Sequence, residues 1–492
     1  MRRPRHLAIL LALALCLGIT PVAAGDDPGG TIVKTANVTE VAQHRYTGGT
    51  EIAFDGDFVY AAQFNGVDNR NQLPDQGGVF IFYIGDGGFD LVGKIDCSGT
   101  DTYPVVVEPG LLAVGHHSSD CNPVADRVNS RGRNNGFYLV DVSGIDPEAP
   151  FEDNLIQRDD PRIIGGIGVR DAAGGFSSHT ITTHPTKPYI YIQPGGLANG
   201  DSSTRIVNIS DPTEPRLAST FRNNEAGCHD LQFLIAEDGD FAFCAGLGEV
   251  QTWDISDVEK PVVVGSITNP GIQFPHNALP SPDGTLLVIN DEAFAAHECQ
   301  SQTSIFGSLW VYDITDRANP ALVSRVAPPV GASVVGYSGM DLAGVDGRPF
   351  GTASGWTRSW CAAHNYNFVP GTNTLVAGWF NGGVTVEDLS NPTSPQRIAS
   401  YRAAPSIVYT AHFHQASPDA PGRIYVNDLN RGMEVLEVAG LRTQELPEVV
   451  PAPAPSGLAD RSAQLIPPVL PPRPVRLTPS LTNSAFCVIP AI

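Results

Sequence analysis

Five histidines recur at a nearly regular spacing, and they are the residues in this chain best suited to chemistry. They lie in the contexts SHTI, CHDL, PHNA, AHNY and AHFH, as His179, His229, His276, His364 and His412. The gaps between them are 50, 47, 88 and 48 residues, and the longest gap contains two large insertions. If a fold brings these positions together, the imidazoles cannot all be protonated, because their charges would repel one another. Binding a metal through neutral imidazoles removes that conflict, so the pattern predicts a metal site.

The type of ligand narrows the choice of metal. Imidazole nitrogen suits copper, iron and zinc, whereas calcium and magnesium prefer oxygen ligands. We therefore predict a transition metal, copper or iron in preference to zinc. The alternative is that the histidines make the same local hydrogen bond in every repeat and hold no ion.

Three further residues are candidates for catalysis. His414 lies two residues beyond His412 and faces the same way if the strand is regular. Asp291 and Glu292 end the strand that follows His276, so a turn would return them to the same side as that histidine. Polar residues next to three of the histidines could orient the imidazoles or hold a turn; these are Asp230, Asn277 and Asn365.

Internal repeats show which elements must position these side chains. Similar segments of strand, turn and strand begin at Gly136, Thr204, Glu249, Ser308 and Gly383. In each, Asp or Asn with Ser or Thr can cap the turn, and a proline fixes φ before the next strand. Pairs of short strands precede most of these segments, which makes each repeat a four-stranded meander. Meanders of this size must pack on one another to bury their faces, and radial packing gives a β-propeller.

The strands YLVDVS, RIVNIS, WVYDIT and VTVEDLS resemble the LVIVD-repeat family, over residues 137–438. With weaker repeats from Glu51 and Val105, the chain is predicted to be all-β, a single propeller of seven four-stranded blades. The strand from Val38 is predicted to complete the last blade and close the ring. The resemblance implies a surface-associated propeller without an assigned reaction. Because the first strand of a blade is innermost, the histidines at its start should meet at one mouth of the central channel.

The ends and the cysteines suggest export. Residues 1–24 combine early arginines with an apolar run and small residues, which predicts a signal peptide. The propeller is predicted to span residues 31–440, and the Pro-rich segment 441–492 to be a disordered tail. Disulfides are expected between neighbouring cysteines, as Cys97–Cys121, Cys228–Cys244 and Cys299–Cys361, with Cys487 unpaired. The alternative for Cys228 is a thiolate ligand.

Composition excludes some classes of partner. The formal charge of -22 opposes nucleic-acid binding, because the phosphate backbone would be repelled. No apolar run has the length of a membrane span. We expect a secreted or extracytoplasmic monomer that acts on a small molecule, with a metal-dependent oxidoreductase as the first hypothesis. The second is a non-catalytic propeller that binds a ligand or a surface protein.

Overall fold

The computed structural model of this chain is almost entirely β-structure in the part that it describes. That part comprises residues 32–63, 77–96, 99–100, 102–119, 134–168, 178–193, 203–222, 227–246, 248–292, 305–329, 361–403 and 406–444. Short 3-10 turns lie at Gly85–Gly87, Phe151–Asn154 and Phe380–Gly382. In these ranges no helix has the length and apolar character to cross a bilayer. The predicted signal peptide and almost all of the predicted tail lie outside the described residues.

Most strands form antiparallel units of four, which we call blades and number along the chain. Two strands come first, β1 (Val33–Lys34) and β2 (Val38–His44). Blade 1 contains β3 (Gly49–Asp55), β4 (Phe58–Gln63), β5 (Gly78–Tyr83) and β6 (Asp90–Ile95). The next strands are β7 (Gly99–Thr100), β8 (Tyr103–Glu108), β9 (Leu111–Ser119), β10 (Asn134–Asp141), β11 (Leu155–Ile156) and β12 (Ile163–Gly168). Blade 2 consists of β8, β9, β10 and β12, while β7 pairs with β9 and β11 pairs with β6.

The remaining blades follow the same order of inner to outer strand. Blade 3 contains β13 (Thr180–Thr183), β14 (Tyr189–Gln193), β15 (Ser203–Asn208) and β16 (Arg216–Arg222). Blade 4 contains β17 (Cys228–Ala236), β18 (Gly239–Gly246), β19 (Glu249–Asp254) and β20 (Val262–Ile267). Blade 5 contains β21 (Pro275–Pro280), β22 (Leu286–Asp291), β23 (Leu309–Asp313) and β24 (Ala321–Val326). Blade 6 contains β25 (Ala363–Phe368), β26 (Thr374–Trp379), β27 (Gly383–Asp388) and β28 (Gln396–Arg402).

Blade 7 takes its outer strand from the N-terminus. It contains β29 (Val408–His414), β30 (Arg423–Asp428) and β31 (Gly432–Val438), and β2 pairs antiparallel with β31. This confirms the predicted closing strand, which covers an edge that would otherwise be open to another chain. In addition, β1 pairs with β28 at the edge of blade 6.

The inner strands make a closed ring. Each of β3, β8, β13, β17, β21, β25 and β29 contacts the next in this order, and β29 contacts β3. Apolar side chains fill the space between blades: β22 is buried at every position, whereas the outer strand β24 is buried only at its last position. The arrangement is a β-propeller, which confirms the predicted all-β class.

The repeated Asp that ends a third strand holds the turn beyond it. The Asp254 Oδ1 accepts hydrogen bonds from the Ser256 N–H (2.8 Å) and hydroxyl (2.6 Å), and the Asp313 Oδ1 accepts the same pair from Thr315. These bonds replace the ladder partners that the backbone loses at the turn. The repeats therefore keep their short turns on one side of the ring, opposite the ends where the histidines lie.

Candidate metal centre

Bulges at the start of the inner strands carry three of the histidines. The register against the second strand shifts between Cys228 and Asp230 in blade 4, and similar shifts occur at the start of β21 and β25. His229, His276 and His364 lie in these shifts. A bulge breaks the regular alternation of a strand and redirects the side chain it carries.

Four of the predicted histidines come together. Ring centroids are 4.3 Å apart for His179 and His229, 4.4 Å for His229 and His276, and 4.2 Å for His276 and His364. The Nε2 atoms of His179 and His229 lie 2.6 Å apart, a hydrogen-bond distance. These four residues, from blades 3 to 6, form what we call the histidine arc.

Two carboxylates lie against the histidine arc. Asp230 is between two imidazoles, with Oδ1 3.4 Å from the His229 Nδ1 and Oδ2 3.3 Å from the His276 Nδ1. Glu292 is between the next two, with Oε2 3.7 Å from the His276 Nε2 and Oε1 3.8 Å from the His364 Nε2. Both acids lie next to predicted metal ligands, as the sequence suggested for Glu292 and for Asp230.

The hydrogen-bond partners indicate which ring nitrogens carry hydrogen. The His364 Nδ1 lies 2.8 Å from the Tyr409 carbonyl oxygen, which can only accept, so this nitrogen donates. The neutral ring then has its lone pair on Nε2, which faces the Glu292 carboxylate. His276 lies between two carboxylates, since its Nδ1 faces Asp230 and its Nε2 faces Glu292. The lone pair of His364 thus faces the Glu292 carboxylate, an arrangement that a cation would stabilise.

Burial keeps the central imidazole neutral. The side chains of His276 and His364 are only 5% and 3% exposed. Burial holds the pKa of His276 well below its ordinary value, and the neighbouring imidazoles of His364, His229 and His179 lower it further. A neutral imidazole is the form that binds a metal, so the site does not have to lose a proton at His276 before binding.

The donor set fits a transition metal. Within the described part of the chain, ligand atoms of His229, His276 and Glu292 all lie within 4.8 Å of one another, close enough to hold one ion. Two imidazoles and a carboxylate form the set that non-haem iron sites use, and imidazole also suits copper and zinc. His179 and His364 flank this group and extend the possible donors.

Asp291 has a different role from its neighbour. Its carboxylate accepts hydrogen bonds from the backbone N–H groups of Gln273, Phe274 and Gly307, each at 2.9 Å. Burial raises the pKa of Asp291 to about 6, although these bonds oppose the shift. Asp291, which the sequence predicts to be catalytic, therefore connects two loops beside the arc by hydrogen bonds, while Glu292 faces the imidazoles.

Blade 7 contributes a tyrosine where the sequence suggested a histidine. The Tyr409 ring lies 4.0 Å from the His364 ring and occupies the bulge of β29, between Val408 and Thr410. His412 is three residues further along the strand, opposite Tyr425, and burial lowers its pKa to about 4. The structure thus brings Tyr409, rather than His412, to the end of the histidine arc.

His414 is also remote from the arc. It ends β29, and its ring stacks on Phe54 at a centroid distance of 4.3 Å. Its Nε2 lies 3.0 Å from the carbonyl oxygen of Gly56, in the turn between β3 and β4. Since a strand rises about 3.3 Å per residue, five residues from Tyr409 place His414 roughly 16 Å along the strand. Its burial lowers its pKa, and its contacts are structural.

The two asparagines that follow arc histidines bond elsewhere. The Asn277 N–H donates to the Asn290 Oδ1 (2.7 Å). The Asn365 Nδ2 donates to Glu51 and Thr410, which links the neighbouring blades 6, 7 and 1. Unlike Asp230, these residues hold the strands and do not face an imidazole with a charge.

Cys228 is not available as a ligand. It forms a disulfide with Cys244, with 5.3 Å between the Cα atoms, as predicted. The bond ties the start of β17, next to His229, to β18. Cys361 is also disulfide-bonded, while Cys97, Cys121, Cys299 and Cys487 lie outside the described residues.

Comparison with known proteins supports the repeat. A family model described as "LVIVD repeat" matches residues 370–403, which cover β26, β27 and β28. A search of curated proteins gave no match. A solved structure, the Cps50 (Swd1) β-propeller domain of Myceliophteria thermophila, is similar with a TM-score of 0.49 and 9% identity, over 81% of this chain and 99% of that one. The chain is thus a β-propeller that contains an LVIVD repeat in blade 6.

Proposed function

We propose that this propeller is exported and binds one transition-metal ion at the histidine arc, where it carries out redox or metal-assisted chemistry on a small molecule. The ligands would be His229, His276 and Glu292, with His179 and His364 beside them. The observation that carries the proposal is the convergence of ligand groups: the Nε2 atoms of His276 and His364 both face the Glu292 carboxylate, at 3.7 and 3.8 Å. A cation bound among these groups would offset the cost of burying the carboxylate.

Among transition metals, the donor set favours iron, with copper second and zinc third. Two imidazoles and one carboxylate leave coordination positions open for a substrate or for dioxygen, as in non-haem iron oxygenases. When bound, such an ion would supply one-electron chemistry that side chains lack. The chain itself supplies an apolar wall at one end of the arc, where Phe380 and Tyr409 lie 4.7 and 4.0 Å from the His364 ring.

Charge balance also supports a single divalent ion. Among the described residues, Asp230 and Glu292 are the two carboxylates in contact with the arc, and their side chains are only 2% and 10% exposed. Two buried negative charges beside neutral imidazoles match one divalent cation. Such a complex is neutral overall, which removes most of the cost of burying either carboxylate.

Export is supported by the disulfides and by the N-terminal sequence. Cys228–Cys244 and a second disulfide at Cys361 are expected of a protein that folds in an oxidising compartment. The early arginines followed by an apolar run fit a signal peptide at residues 1–24. Metal loading would then take place during or after export.

Metal analysis tests the proposal. The protein is purified from the compartment to which it is exported, without chelators or affinity metals, and its bound metals are measured by mass spectrometry. We expect about one transition-metal ion per chain in the wild type and a loss of most of it in His229→Ala and Glu292→Gln, which remove predicted ligands. His412→Ala is the matched control, since it removes a buried histidine outside the arc.

The outcome separates two kinds of protein. Wild type without stoichiometric metal, together with ligand variants that melt like wild type, would contradict the proposal. That result would leave the second hypothesis, a propeller that binds a ligand or a surface partner without catalysis.

A further inference from the structure

We propose that Asp230 is a positioning residue that determines which ring nitrogen carries the hydrogen in two metal-binding imidazoles. The inference rests on the proposed function, because it assigns the carboxylate that orients His229 and His276 toward the ion. Each Asp230 oxygen faces a different ring: Oδ1 faces the His229 Nδ1, and Oδ2 faces the His276 Nδ1.

The environment of Asp230 points to this role. The side chain is 2% exposed, and neither oxygen has a hydrogen-bond partner of normal geometry among the described residues. A buried carboxylate without hydrogen-bond partners is destabilising unless a positive charge compensates it. The two Nδ1 atoms, at 3.3 and 3.4 Å, are the groups within ion-pair distance of it. A cation bound at their Nε2 atoms would polarise both rings and tighten both contacts.

Asp230 directly follows an arc histidine, and the residues at the same position in blades 3 and 6 are not carboxylates. A residue at this position can therefore link the inner strands without a carboxylate. Thr180 in blade 3 donates to the His229 carbonyl oxygen (2.6 Å), and Asn365 in blade 6 donates to Thr410 (3.2 Å). These residues link one inner strand to the next through ordinary hydrogen bonds. Within the part of the chain that the structure describes, Asp230 makes no such bond, and its carboxylate is a group that backbone linkage does not require.

The chemistry follows from the acceptor character of the carboxylate. Because an ionised Asp only accepts, both rings must place their hydrogen on Nδ1 to satisfy it. Both Nε2 lone pairs are then directed away from Asp230 and into the arc. The carboxylate thus fixes two tautomers and raises the basicity of two ligands at the same time.

Asp230→Asn tests this assignment. An amide keeps the shape but offers one acceptor and one donor group, so one of the two rings must accept at Nδ1 and carry its hydrogen on Nε2, facing the ion. We expect the Kd for ferrous ion, added anaerobically to chelator-treated protein and followed by titration calorimetry, to rise about 10- to 100-fold. The melting temperature of the metal-free variant should equal or exceed that of the metal-free wild type, because the uncompensated charge is gone.

A matched control separates positioning from folding. Asp428 is also fully buried, but its oxygens accept hydrogen bonds from the N–H groups of Asn430 (2.7 Å) and Arg431 (3.0 Å) and from the Ser406 hydroxyl. We expect Asp428→Asn to lower the metal-free melting temperature and leave the Kd unchanged, the reverse of Asp230→Asn. Asp230→Ser, which removes the carboxylate with less bulk, repeats the test if the Asn variant does not fold.

The possible failures are distinct. If wild type binds ferrous ion and Asp230→Asn binds it equally well, the positioning role is wrong while the metal site stands. The positioning role is also wrong if Asp230→Asn lowers the metal-free melting temperature as Asp428→Asn does. If wild type binds no ferrous ion, the proposed function and this inference fail together.

Discussion

At the scale of single residues, Asn290 connects the two halves of the histidine arc. Its Oδ1 accepts the Asn277 N–H (2.7 Å), next to His276. Its Nδ2 donates to the carbonyl oxygens of Ala363 (2.8 Å) and His364 (2.9 Å) in the next blade. One buried amide therefore holds the bulge that carries one histidine and the backbone that carries the next.

Replacing Asn290 with Ala should be strongly destabilising. The variant leaves one N–H and two carbonyl groups without their partner in a buried place, and each unsatisfied group costs about 1–3 kcal/mol. We expect the free energy of unfolding to fall by about 3 kcal/mol or more, measured by urea denaturation. Asn373→Ala is the control, since this exposed amide bonds only the Asp283 side chain in the described structure, at 3.0 Å. An equal loss in both variants would contradict the linking role.

The membership of the histidine arc shows how much of the site could be predicted from the sequence. Four histidines were found because they recur at the same place in each repeat. The repeat spacing predicts His412 at the start of the first strand of its repeat, with the other histidines, yet the bulge of β29 is at Tyr409. The pairing of β29 with β30, in which Asn427 opposes Thr410, places the bulge there, and the repeat spacing does not contain that register. Side-chain contacts such as those of Asp291 depend on loops of other segments, and no spacing in the sequence reports them.

At the scale of elements, a buried ion pair lies beside the closing strand. The Arg431 Nε and Nη2 donate to the Glu434 Oε1 at 2.9 and 2.6 Å, and the side chains are 5% and 1% exposed. The Tyr401 hydroxyl lies 3.1 Å from the same Glu434 oxygen and 2.8 Å from Glu40 of β2. The pair thus lies where β2, β28 and β31 meet. The repeat pattern predicted this closure, because the last repeat lacks its fourth strand, but it did not reveal the ion pair.

Arg431→Met should weaken the closure in a pH-dependent way. Removing one partner of a buried pair costs about 3–5 kcal/mol, because Glu434 is left charged and unpaired. Burial already raises the pKa of Glu434 from 4.5 to about 6, and loss of Arg431 raises it further. The folded variant therefore binds a proton more tightly than the unfolded chain, so its free energy of unfolding falls as pH rises from about 4.5 through that pKa.

Urea denaturation at pH 5 and pH 8 measures this effect. The penalty of Arg431→Met relative to wild type should be small at pH 5 and large at pH 8. The double variant Arg431→Met with Glu434→Leu should recover most of the loss at pH 8, since no charge is left unpaired. A penalty that is equal at both values of pH would show that packing, and not charge, explains it.

At the scale of the whole molecule, the ring converts regular spacing along the chain into proximity. Each inner strand contacts the next around the ring, so residues about one repeat apart become neighbours at the same end. The histidine arc covers blades 3 to 6, while Thr50 of blade 1 lies in the corresponding bulge. The asymmetry means that a bound ion would link consecutive blades on one side of the ring and leave the other side without a direct ligand.

Hydrogen exchange should reveal this asymmetry. A ligand that binds only the folded state stabilises it by about 2.7 kcal/mol at a concentration 100 times its Kd. Local unfolding that separates the ligand-bearing strand ends breaks the metal site, so the bound ion makes this unfolding less favourable. When a chelator removes the ion, this unfolding becomes easier, whereas local unfolding elsewhere in the ring is unaffected. We expect chelation to speed amide exchange at the starts of β17, β21 and β25, with little change in β3 and β8, which serve as the internal control. Mass spectrometry of peptides from both regions, with and without chelator, measures the difference. Equal acceleration in all blades would mean that the ion acts on global stability alone, and no acceleration in any blade would mean that the arc holds no ion.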